Sequence, residues 1–147
     1  MSDLLDDLAA RTPAPGGGWA SAWAVAMAAA LVEMAAAFSD RPVEGARSLR
    51  AEALALAERE LTAYQPVLDA MRLPKDDPDR GERIRAASLA AAESPREIAR
   101  VAGEVASLAE ELVASGNRNL EGDANTALQL ARAARQSAER LVEINLG

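Results

Sequence analysis

Apolar positions recur along this chain at helical spacing, and no segment alternates apolar and polar residues over the four to eight positions a strand needs. Ser2 stands where it can cap a short helix, "DLLDDLAA", which the Pro/Gly stretch Thr12 to Gly18 ends. Trp19 to Ser39 predicts a helix that is apolar on nearly every side, as a central helix wrapped by others or by a second subunit would be. Its length also suits a membrane span. However, it is mostly alanine, carries Glu33 and has no second segment like it. "DRPV" breaks the chain, and Glu44 to Arg72 predicts a third helix, bent at Pro66. After the polar loop "LPKDDPDRGE" comes a fourth helix, about Arg80 to Ala92. "SPRE" then reads as a start signal, with Ser94 as N-cap, Pro95 at the first helical position and Glu97 closing the capping box. That fifth helix runs to Ser115, where Gly116 is a stop, and a last helix runs from Leu120–Asp123 to about Ile144. The expectation is an all-α, single-domain antiparallel bundle of five to six helices over residues 1–147.

Composition agrees with helix. Half of the 147 residues are apolar but only 3% are aromatic, and alanine dominates. Alanine faces let helices approach closely. The formal charge of −7, with arginines scattered rather than clustered, argues against nucleic acid or an anionic membrane as partner. The acidic N-terminus "MSDLLDDLAAR" is unlike a signal peptide, so the cytoplasm is expected.

Cysteine and histidine are both absent, which removes thiol nucleophiles, imidazole bases and Cys/His metal sites. A dimetal carboxylate centre of the Glu-x-x-His type is excluded for the same reason. Acid–base chemistry falls to carboxylates, Tyr64, bound water or Lys75, the one lysine in the chain. "PAPGGGWA" fits neither a Walker loop nor a dinucleotide loop. Its glycines would instead leave backbone N–H groups open at the head of a buried helix.

Taking Glu60 as the origin of a helical wheel, Leu49, Ala53, Leu56, Tyr64, Val67 and Met71 fall within about 40° of it. The carboxylate therefore belongs to the core-facing arc, where it must be paired, protonated or turned to a polar pocket. Asp123 shares a stripe with Ala127, Leu130, Ala134, Ser137 and Leu141, although an acid in a first helical turn also serves the helix dipole. Glu33, embedded in alanine, is a third candidate. For each of them a plain interhelical pair with arginine is the competing explanation.

"TPAPGGG", "AYQPVLDAMRLPKDDP", "ESPREIA" and "GNRNLEGDANTALQLARAARQSAERLVEINL" occur in this order. Together they resemble the formiminotetrahydrofolate cyclodeaminase and methenyltetrahydrofolate cyclohydrolase family over nearly the whole chain. The resemblance implies a helical homodimer with a folate site near the dimer interface and a tetrahydrofolate derivative as substrate, with no metal and no further cofactor. It also implies Glu60 and Asp123 as acid/base or pterin-anchoring groups. Gly16, Gly17, Gly18, Trp19, Lys75, Asn117 and Asn145 are the implied substrate-binding positions. Trp19 and Gly122 stand where relatives carry Ser, and Leu141 where they carry Asn. The second-to-third helix connection is about a dozen residues shorter than the family pattern. A helical homodimer that binds a pteridine-like ligand without catalysis, or serves as an interaction module, is the alternative.

Overall fold

The structure, a computed structural model, describes residues 2–39 and 44–147, with the side chain of Ser2 outside that set. The expected Ser2 cap and the "DRPV" break at 40–43 therefore lie outside the described residues. Among these residues the chain forms α1 (Ser2–Ala9), α2 (Gly17–Ala37), α3 (Ala46–Ala63), α4 (Gln65–Met71), α5 (Arg80–Ala91), α6 (Glu93–Ser115) and α7 (Glu121–Leu146). A single 3₁₀ turn, Arg118–Leu120, leads into α7.

The core is a four-helix bundle of α2, α3, α6 and α7, built largely from alanine and valine. Ala22, Val25, Ala28, Ala29 and Val32 of α2 are wholly buried against Ile98, Val101, Val105 and Ala109 of α6 and Ala127 and Ala131 of α7. Burying a side chain the size of Ile98 contributes about 1.5–3 kcal/mol. α2 and α6 run one way, α3 and α7 the other. Gly45, at φ +94°, opens α3 from a left-handed conformation that only glycine adopts cheaply.

α2 is long and apolar enough to cross a membrane, with a mean hydropathy of 1.6, but half of that stretch is buried inside the bundle. Its outer face is different. Trp23, Met27, Leu31, Met34 and Phe38 form an apolar stripe along it, with Trp23 and Leu31 half-buried against the core and Met27 and Phe38 open to solvent. Met27 is 50% and Phe38 66% exposed.

Two expected boundaries shift. The third helix is divided rather than bent, and the division falls at Tyr64, not Pro66. Pro66 has no N–H and its ring would crowd the Thr62 carbonyl, so the helix ends one turn earlier and α4 restarts with the proline in its first turn. α6 begins before "SPRE". Ala92 closes α5 and opens α6, and its carbonyl accepts from the Arg96 N–H at 3.2 Å. Ser94 is thus inside the helix and caps nothing, and Glu97 pairs with Arg100 at 3.0 Å instead of completing a capping box.

α4 and α5 form a hairpin attached beside the bundle. It packs chiefly on itself and touches α6 and α7 lightly. Arg80 braces the turn, donating to the carbonyls of Leu73 and Met71, both at 3.2 Å.

A candidate carboxylate site at one end of the bundle

Helix direction decides which candidate residues meet. The head of α2, the end of α3, the start of α6 and the end of α7 share one end of the bundle. There Glu60 lies against the backbone of Gly18: a Cβ at Gly18 would sit 1.8 Å from Glu60 Oε2 and 2.6 Å from its Cδ. Any residue but glycine would displace the carboxyl group, so Gly18 is where close approach is essential. Glycine at 16 and 17 leaves the first turn of α2 exposed and without a capping side chain. Leu141 of α7 approaches this turn, its Cδ1 3.9 Å from where a Gly17 Cβ would be.

Burial is the largest influence on Glu60 and pushes its carboxyl above the ordinary carboxylate range. The Ser94 hydroxyl and the positive charge of Arg59 pull the other way without overcoming it. Ser94 is only 2% exposed, and its Oγ falls short of well-formed hydrogen-bond geometry. Glu60 Oε1 is likewise buried without a hydrogen-bond partner among the described residues. A half-buried carboxyl whose pKa is raised by burial, with one oxygen unsatisfied, has the environment of a group that exchanges a proton with a bound molecule.

Asn145 reaches the same end. Its side-chain amide donates to the Ala91 carbonyl at 3.2 Å, three residues before Ser94. Beside it, a cavity of about 360 Å³ opens between the α4–α5 hairpin and the end of α7. Tyr64, Met71, Arg85, Ser88 and Asn145 are among its walls. Lys75 is exposed on the turn of that hairpin.

The remaining candidates go elsewhere. Asp123 is in the first turn of α7, and the 22 residues separating it from Asn145 span about 33 Å of helix. Asn117 is at that far end too, where it ties elements together. Its N–H donates to Ser39 Oγ at 2.9 Å, its amide to the Phe38 carbonyl at 3.0 Å, and its Oδ1 accepts from the Asn119 N–H at 3.0 Å. One protomer therefore does not bring Asp123 or Asn117 to Glu60. Trp19 is 6% exposed and packs into the core, its ring centroid 5.5 Å from that of Trp23, so within one chain it offers no face to a ligand. Glu33 is held in a two-point pair with Arg50, at 2.6 and 3.3 Å, the plain interhelical role. Ser94 was hidden from the sequence by its resemblance to a helix cap.

The sequence matches the family model described as formiminotransferase-cyclodeaminase over residues 1–147. The chain belongs to that family. Among its relatives, a methenyltetrahydrofolate cyclohydrolase of Methylorubrum extorquens is 32% identical over 162 residues, covering 99% of this chain and 78% of the relative. That alignment is longer than the 147 residues here, so the cyclohydrolase carries residues this chain lacks. The crystal structure of a formiminotetrahydrofolate cyclodeaminase from Thermotoga maritima superimposes with a TM-score of 0.88 at 30% identity, covering 99% of this chain and 77% of that one. The helical bundle is thus that of the cyclodeaminase, and the end holding Glu60 is built on a folate-enzyme scaffold.

Proposed function

We propose that this protein is a tetrahydrofolate one-carbon enzyme, a methenyl-tetrahydrofolate cyclohydrolase or formimino-tetrahydrofolate cyclodeaminase, with Glu60 as its acid/base. The observation that carries the reading is the half-buried Glu60 carboxyl, lodged against Gly18 with an unsatisfied oxygen, in a chain of this family. In cyclohydrolysis, water adds to the methenyl carbon and Glu60 takes the proton released. The proton then passes to the ring nitrogen as its bond to that carbon breaks, leaving the formyl group on the other nitrogen. In cyclodeamination, one folate nitrogen closes on the formimino carbon and Glu60 protonates the departing nitrogen, which leaves as ammonia. A carboxyl whose pKa is raised toward neutrality serves both directions of transfer. The backbone N–H groups at the head of α2 favour an electron-rich edge of the pterin. Exposed Lys75 suits the negative glutamate tail.

The working unit in this reading is a cytoplasmic homodimer formed across the apolar stripe of α2. A stripe of this kind is uncommon on a solitary helix face in water. Gly18 faces about 180° away from the stripe, toward α3. Glu60 is therefore supplied within a protomer, whereas Asp123 could join it only from a second copy. Sedimentation should give a dimer, and Met27→Lys should shift it toward monomer.

The test is loss of methenyl-tetrahydrofolate absorbance with the wild type and with Glu60→Gln and Asp123→Asn. Turnover above background that Glu60→Gln abolishes in a folded protein supports the cyclohydrolase. Its absence there and in formimino ring closure would sink both activities.

A second reading, a pteridine-binding dimer without catalysis, is favoured by Leu141 on the glycine turn and by the distance of Asp123. Thermal shift separates them: reduced folate at 100-fold its Kd adds about 2.7 kcal/mol, with or without turnover.

A further inference from the structure

Ser94 has three properties that do not belong together in a helix-start serine. It stands in the first turn of α6 but makes no capping bond, because Ala92 already joins α5 to α6. It is almost wholly buried, although serine is a residue usually found in water. Its hydroxyl lies beside the Glu60 carboxyl, and both groups keep an oxygen without a well-formed partner among the described residues. A buried hydroxyl left in that state costs stability, so a core alanine would serve packing better here.

We infer that Ser94 is the positioning residue for Glu60, a group able to hold that carboxyl against Gly18 in both of its protonation states. A hydroxyl both donates and accepts. Toward the carboxylate it donates; toward the carboxylic acid it rotates and accepts. The other groups around Glu60 cannot do both. Gly18 presents its Cα, Leu141 is apolar and lies on the neighbouring Gly17, and Arg59, on the same helix, acts only as a positive charge. Hydrogen bonds that are imperfect in an empty site tighten by small side-chain rotations when a substrate closes it. The carboxyl can then cycle its proton without leaving the cradle. The catalytic meaning of this pair rests on the folate reading above; the pair itself does not.

The experiment follows the Glu60 carboxyl carbon by NMR in carboxyl-labelled protein across pH, in the wild type and in Ser94→Ala. Loss of the hydroxyl should move the Glu60 titration upward, because Ser94 favours the ionised form. An unmoved titration in folded Ser94→Ala overturns the inference. Should that variant fail to fold, Ser94→Cys keeps the volume with a weak donor and decides the same point. With methenyl-tetrahydrofolate, Ser94→Ala should lower kcat more than it raises KM and carry the acid limb of the pH profile upward with the titration. A kcat, KM and pH profile all unchanged would also overturn it. Absent turnover of methenyl-tetrahydrofolate by the wild type would instead sink the cyclohydrolase reading, and a moved titration would still uphold the Ser94–Glu60 pair.

Discussion

The four-helix bundle and the much shorter α4–α5 hairpin are both helical but are held in different ways. In the bundle, alanine and valine from four helices exclude water along the full length of α2. In the hairpin only Val67, Ala70 and Ala91 are buried, while Met71 and Leu89 stand about half exposed around a cavity. Glu60 lies on the seam, as the last core-facing position of α3 before the chain enters the hairpin. Where a carboxyl needs a fixed direction the molecule uses close-packed backbone. Where a ligand of some size must be admitted it uses a lightly attached pair of helices.

The contrast can be broken from the bundle side. Ile98→Ala removes a fully buried side chain and should cost about 2–5 kcal/mol in chemical denaturation, against under about 0.5 kcal/mol for Leu89→Ala on the hairpin, a partly exposed position. Comparable losses would mean that the hairpin is as much core as the bundle. Next in size is Gly18→Ala. The clashing atoms belong to the end of a flexible side chain, so the fold should survive while Glu60 is pushed aside, with a loss of about 100-fold in kcat and little change in melting temperature.

Glu60→Gln sharpens the point from the side of stability. The folded protein holds the Glu60 proton to higher pH than the unfolded chain does, so between the ordinary carboxylate value and the raised one the folded state binds more protons. Stability contributed by this group therefore falls as pH rises through that window. The glutamine variant should be the more stable protein at pH 7, and its advantage should shrink as the pH drops below the ordinary carboxylate range, read by urea midpoints at both ends. Smaller still, Arg80→Ala should release the hairpin turn and speed amide exchange there without altering exchange in α6. Least of all, Arg50→Ala, which breaks a part-exposed pair with Glu33, should cost no more than about 1 kcal/mol.

Much of the bundle was legible in the sequence because alanine-rich periodicity and the Pro/Gly punctuation act locally. The Glu60 arc was legible for the same reason as far as α3 runs, since Leu49, Ala53 and Leu56 are buried as the wheel requires. Tyr64 and Met71, at and beyond the break, are exposed because α4 restarts in a new direction. Two things were not. Ser94 followed by Pro95 and Glu97 carries every mark of a cap, and only the near-continuity of α5 with α6, a tertiary matter, frees it for Glu60. Nor does stripe membership say at which end of a 26-residue helix a residue acts, so the stripe that singled out Asp123 did not show that it lies at the opposite end of α7 from Asn145. Trp19 follows three glycines that suggest a ligand-facing turn, but its ring is drawn into the core by Trp23 one helical turn later.

The alanine core also has a mechanical side. Alanine has no rotamers to lose on folding, so ordering such a core costs little side-chain entropy. It equally has none to rearrange afterwards. A methylene added at Ala28 or Ala131, both fully buried, cannot be met by a neighbour turning away, as it could among leucines. It must be met by one helix sliding on another. The ends of those helices meet at Glu60, so a volume change many ångströms away should be felt there as a displacement of the cradled carboxyl.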